Sequence, residues 1–297
     1  MNRTQPKYYR QRFLLVLLQM AGGSLSRMDF QKLLFLSQQK AGFSYFDFVP
    51  YSYGCYSFQA QSDIELLASA GWLKEGPKNI KLLKDADVAL KDNEKYSIEA
   101  FTRNFKNLRG RKLLTYVYES YPYYAVRSKI ASDVLNSEAY NRVVTEKNKL
   151  QVRGRVIYTI GYEGMLFESY VNNLIKHDVR LVCDVRKNPI SRKFGFSKGA
   201  LSKLLPKLGI EYKHLPELGI PSYMRKSLNS PDDYAALFEI YRKSLSNQQQ
   251  SLDLVANLLK EYDRIALTCF EKSYYYCHRH CISDNINAQK GYKVCHL

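Results

Sequence analysis

The sequence predicts a two-domain α/β protein: a parallel-sheet domain behind a mostly helical one. Three observations predict it. The length of 297 residues exceeds the ~100–200 residues of a usual single domain. Residues 9–70 place apolar side chains at helical spacing. From residue 155 onward, β-branched apolar runs alternate with amphipathic helical stretches, the pattern of a parallel sheet covered by helices on both faces. Hydrophobic residues at 45% and charged residues at 25% are ordinary globular composition and exclude a disordered chain.

In the first half, Phe13, Leu14, Leu17, Leu18 and Met20 share a helical spacing. "SLSRMDFQKLLFLSQQ" opens a second helix, with Ser26 as N-cap and Asp29 three residues on. "FDFVPYSYGCYS" is punctuated by Pro and Gly, and "FQAQSDIELLASAGWL" is a third helix stopping near Gly71. "WLKEGPKNIKLLKD" reads as a short hairpin. An aromatic-Gly turn entering a helix that ends in "L-x-x-x-G-hydrophobic" resembles a winged helix-turn-helix over residues 1–85, which implies DNA contact. Residues 86–150 read as a helical extension and charged linker. Within it Leu113, Leu114, Val117 and Tyr118 line one face, Pro122 interrupts, and Arg109 and Arg111 sit in a basic turn suited to a phosphate.

Residues 151–297 carry the candidate chemistry. "RVIYTIGYEG", "RLVCDVRKNP" and "DRIALTCFE" are strand candidates, and "IEYKHL" is a shorter one. Ligands of open parallel sheets sit outside the carboxyl ends of the strands. There the first strand delivers Gly161, Tyr162, Glu163 and Gly164. The second delivers Asp184 and Arg186, with Lys187 and Ser191 beyond. The third delivers Cys269 and Glu271, then Cys277, His278 and Arg279. Asp184 and Arg186, two apart on a strand, face one side and either pair or leave Arg186 for a phosphate. Every charged residue from Arg186 to Lys207 is basic, and Lys187, Arg192, Lys193, Phe194 and Lys198 make this tract the expected nucleic-acid contact.

The segments "TIGYEG", "DVRKNPISRKFGFSK", "IEYKHLPELG" and "LTCFE…CHR" resemble the domain-of-unknown-function 488 family from about Val156 onward. The resemblance implies a Rossmann-like α/β fold with a shared pocket, and leaves the reaction open. Its motif positions here are Gly161, Tyr162, Glu163, Asp184, Arg186, Pro189, Ser191, Glu271, Cys277, His278 and Arg279.

The charge narrows the function. Lys plus Arg number 45 against 28 Asp plus Glu, a net +17, interleaved with 25 tyrosines and 14 phenylalanines. Cations suit phosphate and flat rings suit unstacked bases, so nucleic acid, DNA before RNA, is the expected partner. The first apolar run is too short to span a bilayer, and six cysteines without a secretory signal suggest reduced thiols, so the expected location is the cytoplasm, with no membrane. Cys277 is the cysteine with an argument for reactivity, at a helix start beside His278 and Arg279. Its two-residue spacing to Arg279 is too short for a phosphate-wrapping loop. Cys269, Cys277, His278, His280 and Cys281 lack paired C-x-x-C spacing, so neither a metal nor another cofactor is expected.

Carboxylates, arginines and aromatics without a nucleotide fingerprint suit cleavage of an N-glycosidic bond in DNA, as repair or as attack on modified phage bases. In this reading Glu163 or Asp184 stabilises the sugar cation, with Glu271 as rival or partner. His278 assists the departing base, Arg186 and Arg279 hold phosphates, and Tyr162 stacks on the base. Gly161, Gly164 and Ser191 complete the substrate contacts. The alternatives are a non-catalytic reader of modified nucleotides, or a nuclease, which would lack a recognisable carboxylate-rich metal motif.

Overall fold

The computed structural model describes residues 5–225 and 228–297. The chain folds as two units, the first ending at Lys149 and the second beginning at Leu150.

The first unit opens with α1 (Tyr9–Met20), β1 (Ser24–Ser26) and α2 (Arg27–Ala41). Ser26 caps α2, its side chain accepting the Asp29 N–H at 2.9 Å. The aromatic stretch expected only as punctuation is a hairpin, β2 (Val49–Tyr51) with β3 (Gly54–Tyr56). Next come α3 (Phe58–Ser69) and the expected hairpin, β4 (Leu73–Glu75) with β5 (Asn79–Leu82). Strand β1 joins that hairpin in a three-stranded antiparallel sheet of order β1-β5-β4. Buried polar groups tie the helices together: Arg10 Nε donates to Asp63 Oδ2 at 2.6 Å, and Gln31 exchanges two hydrogen bonds with the Ser57 backbone.

The unit continues through α4 (Asp92–Asn104), α5 (Gly110–Ser120), α6 (Ala131–Val134) and α7 (Ser137–Lys149). Leu113, Leu114, Val117 and Tyr118 are buried on α5. Much of the stretch expected as a charged linker is helix α7, which buries Ala139 and Val143, an i,i+4 pair on one face. The basic turn spends its cations internally: Arg109 donates to the carbonyls of Phe105 and Leu108 at 2.6 and 2.7 Å, and Arg111 to that of Asp133.

The second unit is an α/β fold with a five-stranded parallel sheet. Its elements are β6 (Val156–Gly161), α8 (Phe167–Lys176), β7 (Leu181–Asp184), α9 (Lys198–Leu204), β8 (Glu211–His214), α10 (Pro231–Leu245), α11 (Gln249–Tyr262), β9 (Arg264–Cys269), α12 (Arg279–Lys290) and β10 (Lys293–His296). The order is β10-β6-β9-β7-β8, every pair parallel. Strand β10, like β8 at the other edge, lacks the apolar run that marks the three central strands, because an edge strand need not be buried on both faces. The three central strands are buried throughout. Ile157, Leu181, Cys183, Ile265 and Leu267 pack with α10, α11 and α12. Tyr170 of α8 reaches Thr268 at 3.1 Å from the opposite face.

Among the described residues no helix is long and apolar enough to cross a membrane, and all six cysteines are free. Ile265 lies fully buried on the middle strand. Ile265→Ala is expected to lower the stability of the α/β unit by ~2–5 kcal/mol, read as an earlier midpoint in urea unfolding followed by fluorescence.

Candidate active site

The carboxyl ends of β6, β9 and β7 lie side by side, so the three predicted clusters meet at one sheet edge. Two assemblies form there, and a cavity lies over them.

The first is built on Asp184 and Arg186. Asp184 is fully buried. Arg186 grips it bidentately, Nε to Oδ1 at 2.8 Å and Nη2 to Oδ2 at 2.5 Å. Tyr212 of β8 donates to the same carboxylate at 2.8 Å, and burial pushes its phenol pKa up. Arg186 Nη1 donates to the Tyr162 hydroxyl at 2.7 Å and to the Phe196 carbonyl at 2.9 Å. His214 Nε2 donates to the Arg186 carbonyl at 2.9 Å. Of the two options for this pair, internal pairing is the one formed. Both carboxylate oxygens of Asp184 are hydrogen-bonded, and the guanidinium of Arg186, which also lines the cavity over this edge, makes four hydrogen bonds within the protein.

Tyr162 is likewise committed. Its ring stacks on buried Phe196 at 4.2 Å between centroids, with the Arg186 guanidinium 5.1 Å from its centroid. It forms wall rather than a free stacking platform, and burial raises its pKa. Phe194 packs edge-on against Phe167. Ser191 accepts the Lys193 N–H at 3.1 Å. Lys187, Arg192 and Lys198 are exposed, whereas Lys193 is half-buried with its pKa lowered by that burial.

Gly161 meets protein, not ligand. A Cβ there would sit 1.8 Å from the Glu271 carbonyl oxygen, so only glycine lets the loop after β9 cross the end of β6. Gly164, at φ +76°, turns the chain with open space around it. Exposed Glu163 accepts the Lys272 N–H at 3.0 Å and braces the same loop. Arg279, fully buried, donates to the carbonyls of Glu271 and Lys272 at 2.6 and 2.9 Å. Its guanidinium therefore pins the loop instead of facing a phosphate.

The second assembly lies at the C-terminal end of β9. Cys269 Sγ is 3.1 Å from Glu271 Oε2 and 3.9 Å from His278 Nδ1, and Cys277 Sγ is 3.9 Å from the same nitrogen. His278 Nε2 donates to the Val185 carbonyl at 2.9 Å, which places its proton on Nε2 and a lone pair on Nδ1. The neighbouring Cys277 thiol, and His278 beside it, hold the Cys269 pKa well below the ordinary thiol range. Burial holds Cys277 well above it. Burial, then the neighbouring Cys269, raises the Glu271 carboxyl.

A cavity of about 220 Å³ opens over this edge, lined by Tyr162, Lys187, Ile190, Arg225, Phe270 and Glu271, among others. A second, of about 240 Å³, lies beside it, and Ile220, Arg225 and Glu271 line both. Arg225 Nη1 is 3.3 Å from Glu271 Oε1, so this ion pair divides the two spaces. Arg225 and Tyr212 had no signal in the sequence. Arg225 lies outside every strand end, and Tyr212 reads as one of many aromatics.

Fold and site together define an α/β protein with a small polar crevice at the carboxyl edge of its parallel sheet. Residues 167–286 match the family described as "Domain of unknown function DUF488", as expected for the C-terminal half. That span holds Asp184, Arg186, Arg225, Glu271 and His278, and begins after Glu163. Among curated proteins, none matches the chain.

Removing one partner of a buried ion pair strands the other's charge. Arg186→Met is expected to cost ~3–5 kcal/mol of stability in the α/β unit. An Asp184→Leu, Arg186→Met double variant should recover part of that loss. Urea denaturation of the three proteins checks both.

Proposed function

We propose that the α/β unit cleaves the N-glycosidic bond of a damaged or modified base in DNA, with Glu271 as the working carboxylate. The observation that carries this reading is the position of Glu271, partly buried on the wall of a 220 Å³ cavity, with Arg225 beside it. Asp184 and Glu163 are occupied in holding the protein together. The cavity is smaller than the ~300–1,000 Å³ of drug-sized sites, which suits one flipped ring system.

The chemistry follows from charge. As the bond to the base breaks, positive charge builds on the sugar ring. An ionised Glu271 stabilises that charge, and water then adds to the anomeric carbon. The base leaves with a proton, and the product is an abasic site. Lys187, Arg192 and Lys198 supply cations around the mouth for backbone phosphates. In the first unit, strand order β1-β5-β4 after α1, with β4-β5 as the wing, supports a winged-helix module. A hollow of about 400 Å³ there, lined by Arg27, Lys78, Tyr51, Tyr53 and Tyr56 among others, adds the cation-and-ring chemistry that nucleic acid favours.

Duplexes with unmodified, damaged and hypermodified bases, incubated with the protein and then treated with alkali, test the reading. Strand breaks that need alkali are expected with at least one substrate. Glu271→Gln should slow them ~10²–10⁴-fold, while Glu163→Gln retains most activity. Tight binding without breaks would identify a reader instead, and breaks before alkali that EDTA abolishes would identify a nuclease. Full activity in Glu271→Gln sinks the carboxylate assignment.

Cations on backbone phosphates also leave a salt signature. An Arg192→Ala, Lys198→Ala double variant should flatten the slope of log affinity against log salt by roughly 0.9 for each phosphate no longer neutralised. Fluorescence anisotropy with a short duplex measures it.

A further inference from the structure

The pair of thiols and the imidazole behind Glu271 have no part in that chemistry. Their sequence spacing hid them: one ligand ends β9, and the other two immediately precede α12, with the Glu271 loop between. The fold closes that loop and brings Cys269 Sγ, Cys277 Sγ and a ring nitrogen of His278 within 4.8 Å of one another, all three buried.

We propose that Cys269, Cys277 and His278 Nδ1 bind a zinc-class divalent ion. Four observations carry this. The donor set, two sulfurs and one imidazole nitrogen, is the one that selects zinc over harder ions. The spacing fits: zinc–sulfur bonds of ~2.3 Å and zinc–nitrogen bonds of ~2.0–2.1 Å in a tetrahedron put sulfur and nitrogen ~3.6 Å apart, against 3.9 Å for both thiols. The imidazole is oriented as ligating histidines are. Its Nε2–H is anchored on the Val185 carbonyl at 2.9 Å, which leaves the Nδ1 lone pair on the side of the sulfurs, where it accepts from Arg225 Nη2 at 3.4 Å, a contact the ion would displace. Finally, the mutually close set is these three alone, and Glu271, whose Oε2 is 3.1 Å from Cys269 Sγ, stays outside it, which leaves the fourth position to a water. The ion replaces the two thiol protons, which pass to solvent.

Cys281 and His280 stay outside the set. His280 is turned to Arg242 and the Cys277 carbonyl, and Cys281 Sγ lies 3.3 Å from His280. An ion here would staple the end of β9 to the start of α12 and fix the loop that carries Glu271.

Cobalt(II) makes the site visible. Full-length protein, reduced and stripped of metal with a chelator, is titrated with cobalt(II) under argon. Saturation at one equivalent is expected, with thiolate-to-cobalt charge-transfer absorption in the near ultraviolet and tetrahedral d–d bands in the visible. Zinc should bleach both. Cys277→Ser should lose about half the charge-transfer intensity, whereas Cys281→Ser should match wild type. The wild-type titration needs no variant to fold. Absence of a saturable charge-transfer band overturns the proposal, and so does an unchanged band in a Cys269→Ser, Cys277→Ser double variant. The readout is spectroscopic, so it is independent of whether the protein releases any base.

Discussion

The α/β unit depends on one buried ion pair. Asp184 ends β7 with no exposure to solvent, and an isolated carboxylate there would be prohibitive. Arg186 answers it with two hydrogen bonds, then gives two more donors to Tyr162 after β6 and Phe196 before α9. Tyr212 closes the ring from β8. One guanidinium thereby joins two strand ends and a helix entry. The basic tract after β7 takes its path from this junction, because Phe196 must lie flat beneath Tyr162.

The two faces of the sheet have divided their labour. The ion pair, Tyr162, Tyr170 and Thr268 occupy the face under α8. Cys269, Cys277 and His278 occupy the face under α10 and α12. The cavity and Glu271 stand at the rim between them. Polar groups on both sides are met by partners, so the rim is held from two directions. Gly161 completes the arrangement by letting the Glu271 backbone lie directly on β6.

Much of this was legible in the residues, and the rest failed for definable reasons. Apolar strands buried on both faces announce themselves, as β6, β7 and β9 did. Capping by Ser26 follows from local hydrogen bonding alone. Convergence of three strand ends follows from topology. The roles of the converging residues do not, because the same types serve structure and chemistry. Asp184, Arg186, Tyr162 and Arg279 all turn inward, a matter of partners far away in the chain. The thiol–imidazole cluster escaped a spacing rule made for contiguous metal loops. Helix α7 escaped because two buried residues are a weak signal against many charges.

The strand order sets the timetable of folding. Strands β6 and β7 come first in this unit yet never touch, since β9 lies between them. Until Arg264–Cys269 leaves the ribosome, each presents an unpaired edge flanked by apolar side chains. Strand β9 fills the gap and carries Cys269, with Glu271 just beyond it, to the edge between them. A nascent chain is thus sticky for most of the synthesis of this unit. Small losses of strand pairing would therefore be felt first in the folding of this unit.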